Sequence, residues 1–197
     1  MASFWNFITD FGDTAVTLPL AGLTIAFLFL SGWRRAALLF ALTLAGCGIA
    51  IGLTKLVLQS CGQPLLHVAV TNPSGHAAMS TAVYGSLAIL YTAREAAERR
   101  WLPWIGAGLL LGAIALSRVI LDTHSPIEVA LGLAIGLAAL ALFRRGLADE
   151  PAVPFEGFWF AITAAVLIAI MHGTRWPVED IVRSIAHLIR NSVPSCH

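Results

Sequence analysis

Lys55, the run Asn72-Pro73-Ser74-Gly75-His76, the pair Ser117-Arg118, His124 and Glu128 are the residues whose types and spacing suit chemistry. Each stands within or beside a long apolar run, where an ionisable group is a functional candidate by default. Two cations, two histidines, one carboxylate and a Ser-Gly pair suit a phosphate ester. Lys55 and Arg118 neutralise a dianion, the guanidinium through planar paired donors. Asn72 or Ser74 caps a helix whose first turn tolerates Pro73. The free N–H groups there, unobstructed at Gly75, form an anion seat on the positive end of the helix dipole. With two histidines, one attacks phosphorus and the other protonates the departing alkoxide. Glu128, four residues after His124, is placed to bond the second ring nitrogen and fix the attacking tautomer. Two plainer readings stand beside these. Ser125-Pro126-Ile127-Glu128 is a capping box, and Lys55 and Arg118 sit where cations snorkel to headgroups.

Residues so far apart in sequence need elements that gather them. The 197 residues are 58% hydrophobic and 12% charged, against about 25% charged in an average soluble domain, and the mean hydropathy is +0.81. Apolar runs at 14–30, 36–58, 77–93, 102–121, 127–143 and 155–171 are each long enough to cross roughly 30 Å of hydrocarbon as a helix. The expectation is all-α: a polytopic six-transmembrane-helix bundle, with residues 1–197 forming a single membrane-embedded domain. Beyond Pro177, Val178, Ile181, Val182, Ile185, Leu188 and Ile189 fall on one stripe, which predicts a short amphipathic interfacial helix over 178–190.

Basic residues orient the bundle. Arg34 and Arg35, then Arg94, Arg99 and Arg100, then Arg144 and Arg145 occupy alternate loops, which the positive-inside rule assigns to the cytoplasm. In a cytoplasmic (inner) membrane the N-terminus, the chemical residues and the tail then lie on the periplasmic or extracellular face. The first 13 residues carry no base, so the first run reads as a retained span, not a signal peptide. Small residues four apart, Gly48 and Gly52, Gly108 and Gly112, Gly132 and Gly136, allow helix backbones to approach closely in lipid. A net charge of +1 excludes a strongly basic nucleic-acid surface. Cys47 reads as a packing residue, while Cys61 and Cys196 both fall outside, where a disulfide is permitted. Asp122 reads as a loop residue or an Arg partner, His67 as solvated loop, and His172, His187 and His197 as surface residues.

With these blocks in place, the sequence resembles the type 2 phosphatidic acid phosphatase family, whose helical core is shared with vanadium haloperoxidases. That family carries Lys-x6-Arg-Pro, Pro-Ser-Gly-His and Ser-Arg-x5-His-x3-Asp. The second block is complete at Pro73–His76; the third has Ser117, Arg118 and His124 in register, with Glu128 replacing Asp. The first keeps Lys55, but Gly62 stands at the Arg position and Gln63 precedes Pro64. The resemblance implies His124 as nucleophile forming a phosphohistidine, Glu128 as its orienter and His76 as general acid. It also implies Lys55, Ser74, Gly75 and Arg118 as phosphate ligands, with no metal or other cofactor; Gln63 offers a neutral donor for the missing Arg.

The expected activity is hydrolysis of a lipid phosphate or diphosphate that enters sideways from the bilayer. Phosphatidic acid, phosphatidylglycerol phosphate, undecaprenyl diphosphate and a lipid A phosphate all fit. Transfer of the phosphoryl group to a second lipid shares the same residues, as does an inactive protein that binds lipid phosphate. A transporter would spread its ionisable groups toward the midplane, whereas these collect at one face.

Overall fold

The computed structural model describes residues 2–61, 70, 72–92, 99–148 and 157–192. Gly62, Gln63, Pro64, His67, Arg94, Cys196 and His197 lie outside the described residues, and so does the permitted Cys61–Cys196 pairing. The described residues form helices and short connections only: α1 (Ala2–Asp10), α2 (Thr14–Leu30), α3 (Arg34–Cys61), α4 (Gly75–Thr92), α5 (Leu102–Ile120), α6 (Pro126–Gly146), α7 (Gly157–Met171) and α8 (Val178–Ser192). The chain is an all-α, multi-pass membrane protein.

Local signals set the helix starts. The Asp13 side chain accepts the Ala15 N–H at 2.8 Å and caps α2. Ser125 and Glu128 close the expected capping box on α6, with Pro126 in the first turn. Pro103 opens α5 in the same way, without a side-chain cap. Apolar side chains then face outward as well as inward. Leu38, Leu42, Ile49, Leu53 and Val57 stand exposed along α3, and Phe158, Trp159, Ile162, Val166 and Ile170 along α7. A soluble monomer rarely exposes so much contiguous apolar surface; in lipid, that surface needs no cover.

Four stretches are long and apolar enough to cross a membrane: Ser3–Leu30, Arg34–Ser60, Leu102–Ile120 and Pro126–Gly146. The expectation of six is met for these four. α7 is apolar but only 15 residues long, and α4 has 18 residues with His76, Ser80, Thr81 and Ser86 among them. The polar content of α4 follows from its position. It runs through the middle of the bundle against α2, α3, α5 and α6, so most of its surface meets protein instead of lipid.

Of the three glycine pairs, only Gly132 and Gly136 mediate the close approach. A Cβ at Gly136 would sit 2.6 Å from the Ala78 carbonyl oxygen and from Thr81 Cβ, and one at Gly132 would collide with the Ser74 carbonyl oxygen. Around Gly108 and Gly112 nothing lies within 4 Å, and the same holds for Gly48 and Gly52. Contacts Ser74–Gly132, Ala78–Gly136 and Gly85–Leu140 advance together, so α4 and α6 run parallel and both begin at the same end of the bundle. α3 arrives there antiparallel, with Cys47 Sγ 3.7 Å from the Ala78 carbonyl and Lys55 over Gly75. Farther along, Phe40 and Phe143 close the core edge to face, with centroids 5.7 Å apart.

The amphipathic helix α8 packs along α3: of its stripe Ile181, Ile185 and Leu188 are exposed, while Ala186, beside the stripe, is buried.

Candidate active site

The last turns of α3 and α5 and the first turns of α4 and α6 meet at one end of the bundle. Lys55 comes from α3 and is 4% exposed. It lies over the first turn of α4, where a Cβ at Gly75 would be 3.8 Å from both Lys55 Cε and Nζ. Of the two cap candidates it is Ser74 that caps α4, its buried hydroxyl accepting the Ala77 N–H at 3.3 Å. His76 follows in the same turn, with Asp13 Oδ2 3.6 Å from its Nε2.

Arg118, in the last turn of α5, donates from Nη1 to Thr9 Oγ1 at 3.0 Å. Its carbonyl accepts the Thr123 and His124 N–H groups at 3.1 and 3.2 Å, which folds the α5–α6 turn back on its own helix. Asp122 takes φ 51° within that turn, a conformation Asp tolerates better than most residues. His124 is 8% exposed, and its Nδ1 is 3.6 Å from Glu128 Oε2. Of the two things its position allowed, Glu128 makes the cap, while Nδ1 of His124, at that distance from Oε2, has no hydrogen-bond partner among the described residues. Oε2 accepts the Ser125 N–H at 3.0 Å to complete the cap, and the carboxylate still borders the imidazole. Its other oxygen accepts the Asn72 N–H at 2.8 Å, and its backbone carbonyl accepts the Ser74 N–H at 3.0 Å.

The structure therefore brings Lys55, Ser74, Gly75, His76, Arg118, His124 and Glu128 together. Lys55, Gly75, His76 and Arg118 line a cavity of about 530 Å3, with Thr123 beside them. Ser74, His124 and Glu128 stand off the cavity wall. One part of the lining is apolar, from Leu18 on α2, Gly48, Ile51 and Gly52 on α3, and Met79 on α4. The open space beside Gly48 and Gly52 thus belongs to the cavity, not to a helix contact.

Four groups at the site escaped the sequence motifs. Glu179 of α8 accepts a hydrogen bond from Lys55 Nζ. Asp13 meets His76, and Thr9 receives Arg118. Arg175, just before α8, lies 3.3 Å from Asp10 Oδ1 and lines the cavity beside Trp176. Glu179 reads in sequence as an acid in a first helical turn, and Asp13 as an N-cap; neither signal points to a site. His172, expected at the surface, packs its ring on Phe7 and Phe11 and meets the Phe7 carbonyl at 2.9 Å, tying the end of α7 to α1.

Two groups at the surface end of the bundle titrate abnormally. Burial first, then the Arg118 guanidinium and the Lys55 ammonium, lower His124 to about 4, against the opposing pull of Glu128. The imidazole is neutral at pH 7, with a lone pair to use. Burial would raise Glu179, but the hydrogen bond and charge of Lys55, helped by Asn72, hold its carboxyl below the usual range. Glu179 is therefore an anion lying on Lys55. Among the described residues, no group of three or more His, Cys, Asp or Glu side chains is placed to hold a metal ion.

The sequence model of the PAP2 superfamily matches residues 36–151, which span Lys55 through Glu128 and end before α7. An uncharacterized 22.5 kDa protein in the cps region of Klebsiella pneumoniae is 29% identical over 191 residues, covering 92% of this chain and 90% of that protein. No solved structure matches.

Proposed function

This chain belongs to the PAP2 superfamily, and on that premise we propose that it is a membrane lipid phosphatase working through a phosphohistidine on His124, without a metal. Membership carries a phosphatase-type hydrolase activity in general. The particular reading rests on one observation: a neutral, buried histidine stands beside two cations and a helix N-terminus, just behind the polar part of a cavity that is apolar along α2, α3 and α4. A phosphate headgroup suits the first part of that cavity and a lipid tail the second.

In this reading six crossings are made by α1–α2 together, α3, α4, α5, α6 and α7, as one unit over the whole chain. The site lies on the outer face, opposite the Arg34-Arg35 and Arg144-Arg145 ends. Lys55, Arg118, the Ser74 hydroxyl and the Gly75 N–H hold the phosphate. Glu128 borders Nδ1 of His124, which leaves Nε2 to attack. The P–N bond forms as the P–O bond to the leaving group breaks, and protonated His76 gives its proton to the departing oxygen. Water then attacks phosphorus, the P–N bond breaks, and His76 recovers the proton. Positioning and charge neutralisation supply most of the acceleration.

The test is phosphate release by purified protein from a panel of lipid phosphates and diphosphates, with and without EDTA. Release that survives EDTA supports the reading; release abolished by EDTA, or no release from any member, overturns it.

Glu179 adds a competitive element. Phosphate must displace its carboxylate from Lys55, so only the fraction of molecules with an open seat binds substrate at full strength. Glu179→Gln is expected to lower KM for the preferred lipid by about three- to tenfold with kcat little changed. An unchanged or raised KM would show that the carboxylate does not compete with phosphate.

A further inference from the structure

The N-terminal turn between α1 and α2 lies outside the segment matched to the family, yet it is fastened to the helix that carries His76. Residues 76, 80 and 84 follow one another at i, i+4 and i+8 and form one stripe of α4. Each meets the turn. Tyr84 Oη donates to the Phe11 carbonyl at 2.7 Å. A Cβ at Gly12 would lie 3.0 Å from Ser80 Oγ and 3.3 Å from His76 Cδ2, so the glycine backbone packs directly on the imidazole edge. Asp13 Oδ2 then stands 3.6 Å from His76 Nε2.

The carboxylate is itself held in place. Asp13 is buried, its other oxygen accepts the Ala15 N–H at 2.8 Å, and its carbonyl accepts the Thr17 hydroxyl at 3.0 Å. An ordinary N-cap would use one oxygen and leave the other to solvent. Here the second oxygen faces a ring that lines the cavity. Charged groups acting on His76 include Asp13 from the turn, Lys55 from α3 and Arg118 from α5, so the Asp13 carboxylate stands against two cations, while Asp10, Glu179 and Arg175 line the same cavity.

We propose that Asp13 is a positioning residue for His76: it accepts the Nε2–H and leaves Nδ1 as the nitrogen that exchanges a proton with the reacting oxygens. This rests on the phosphatase reading above. In the first step Nδ1–H passes to the departing oxygen as the P–O bond breaks. In the second, Nδ1 takes a proton from the attacking water as the P–N bond breaks. Asp13 remains ionised in both, fixing the ring and offsetting the charge of the imidazolium. The 3.6 Å separation is that of a resting site, where such contacts are commonly long and tighten with substrate bound.

A carboxylate acting through a general acid matters only when the leaving group needs a proton, and that dependence is the test. Asp13→Asn keeps a side chain that caps a helix as well as Asp does, and melting in detergent checks that the fold is intact. With a dialkyl-glycerol phosphate, whose leaving alkoxide needs the proton, Asp13→Asn is expected to lower kcat by about 10- to 100-fold with KM little changed. With p-nitrophenyl phosphate, whose phenolate leaves unaided, the loss is expected to be under about threefold. In a His76→Ala background, Asp13→Asn should add almost nothing, because the two act as a unit. Equal losses on both substrates, or an undiminished loss in the His76→Ala background, would overturn the proposal and leave Asp13 as a helix cap. Should His76→Ala itself discriminate the substrates while Asp13→Asn does not, this inference fails alone. A wild-type protein that hydrolyses neither substrate overturns this inference, and one that releases phosphate from no member of the lipid panel refutes the phosphatase reading with it.

Discussion

His124→Ala is expected to reduce phosphate release by on the order of 10^4-fold or more, with KM changed far less, because it removes the atom that forms the covalent intermediate. Residual turnover would come from the proposed anion seat alone, in which Lys55, Arg118 and the Gly75 N–H still bind and polarise phosphate. The same imidazole sets a pH signature. Its value of about 4 lies below the ordinary value of 6.5, so it stays unprotonated across the interval between them. Activity should therefore rise with pH through about 4 and be flat through 6.5 on the acid side of the kcat/KM profile, which reports the free enzyme. An acid limb centred near 6.5 would mean that burial and the two cations do not act on this group. Full activity in His124→Ala would remove the mechanism altogether.

The second large effect involves no chemical group. Gly132→Ala is expected to destabilise the protein by about 1–3 kcal/mol through overpacking and to lower kcat by about tenfold to a hundredfold. The added methyl group meets the Ser74 carbonyl oxygen, and Ala77 Cβ would lie 3.2 Å away. Relief by rotating a flexible side chain is unavailable, because the obstacle is backbone. Either α6 moves out or the first turn of α4 moves, and that turn carries Ser74, Gly75 and His76. Gly108→Ala is the matched control: nothing lies within 4 Å of its added atom, and the better helix propensity of Ala makes it neutral or stabilising by up to about 1 kcal/mol. Melting in detergent with phosphate release measures both. Equal behaviour of the two variants would mean that α4 and α6 are not in this contact.

The contrast between these glycines explains what sequence could and could not reveal. Three pairs with the same spacing gave one signal, yet one pair packs, one opens a cavity and one faces away from protein. Spacing fixes which residues share a helix face, whereas the neighbour of that face depends on the whole bundle. Lipid and protein interiors accept the same apolar side chains, so the run over 77–93 resembled the others although its helix lies inside the bundle. The candidate site was legible because its blocks carry polar groups beside apolar spans. The acids that complete it were not: Glu179 reaches Lys55 across 124 positions, and Asp13 looks like any helix cap until His76 is placed against it. His172, a residue of no block, turned out to fasten α7 to the N-terminal helix.

Glu128 has one further consequence. Its two carboxylate oxygens and its carbonyl accept the N–H groups of Ser125, Asn72 and Ser74. Three amides on two separate segments thus depend on one residue, and none can open to solvent without loosening the bonds of the others. They form a single cooperative unit of local unfolding. In hydrogen–deuterium exchange the amides of residues 72, 74 and 125 are expected to share one opening free energy, and distinct protection at the three would show that they open independently.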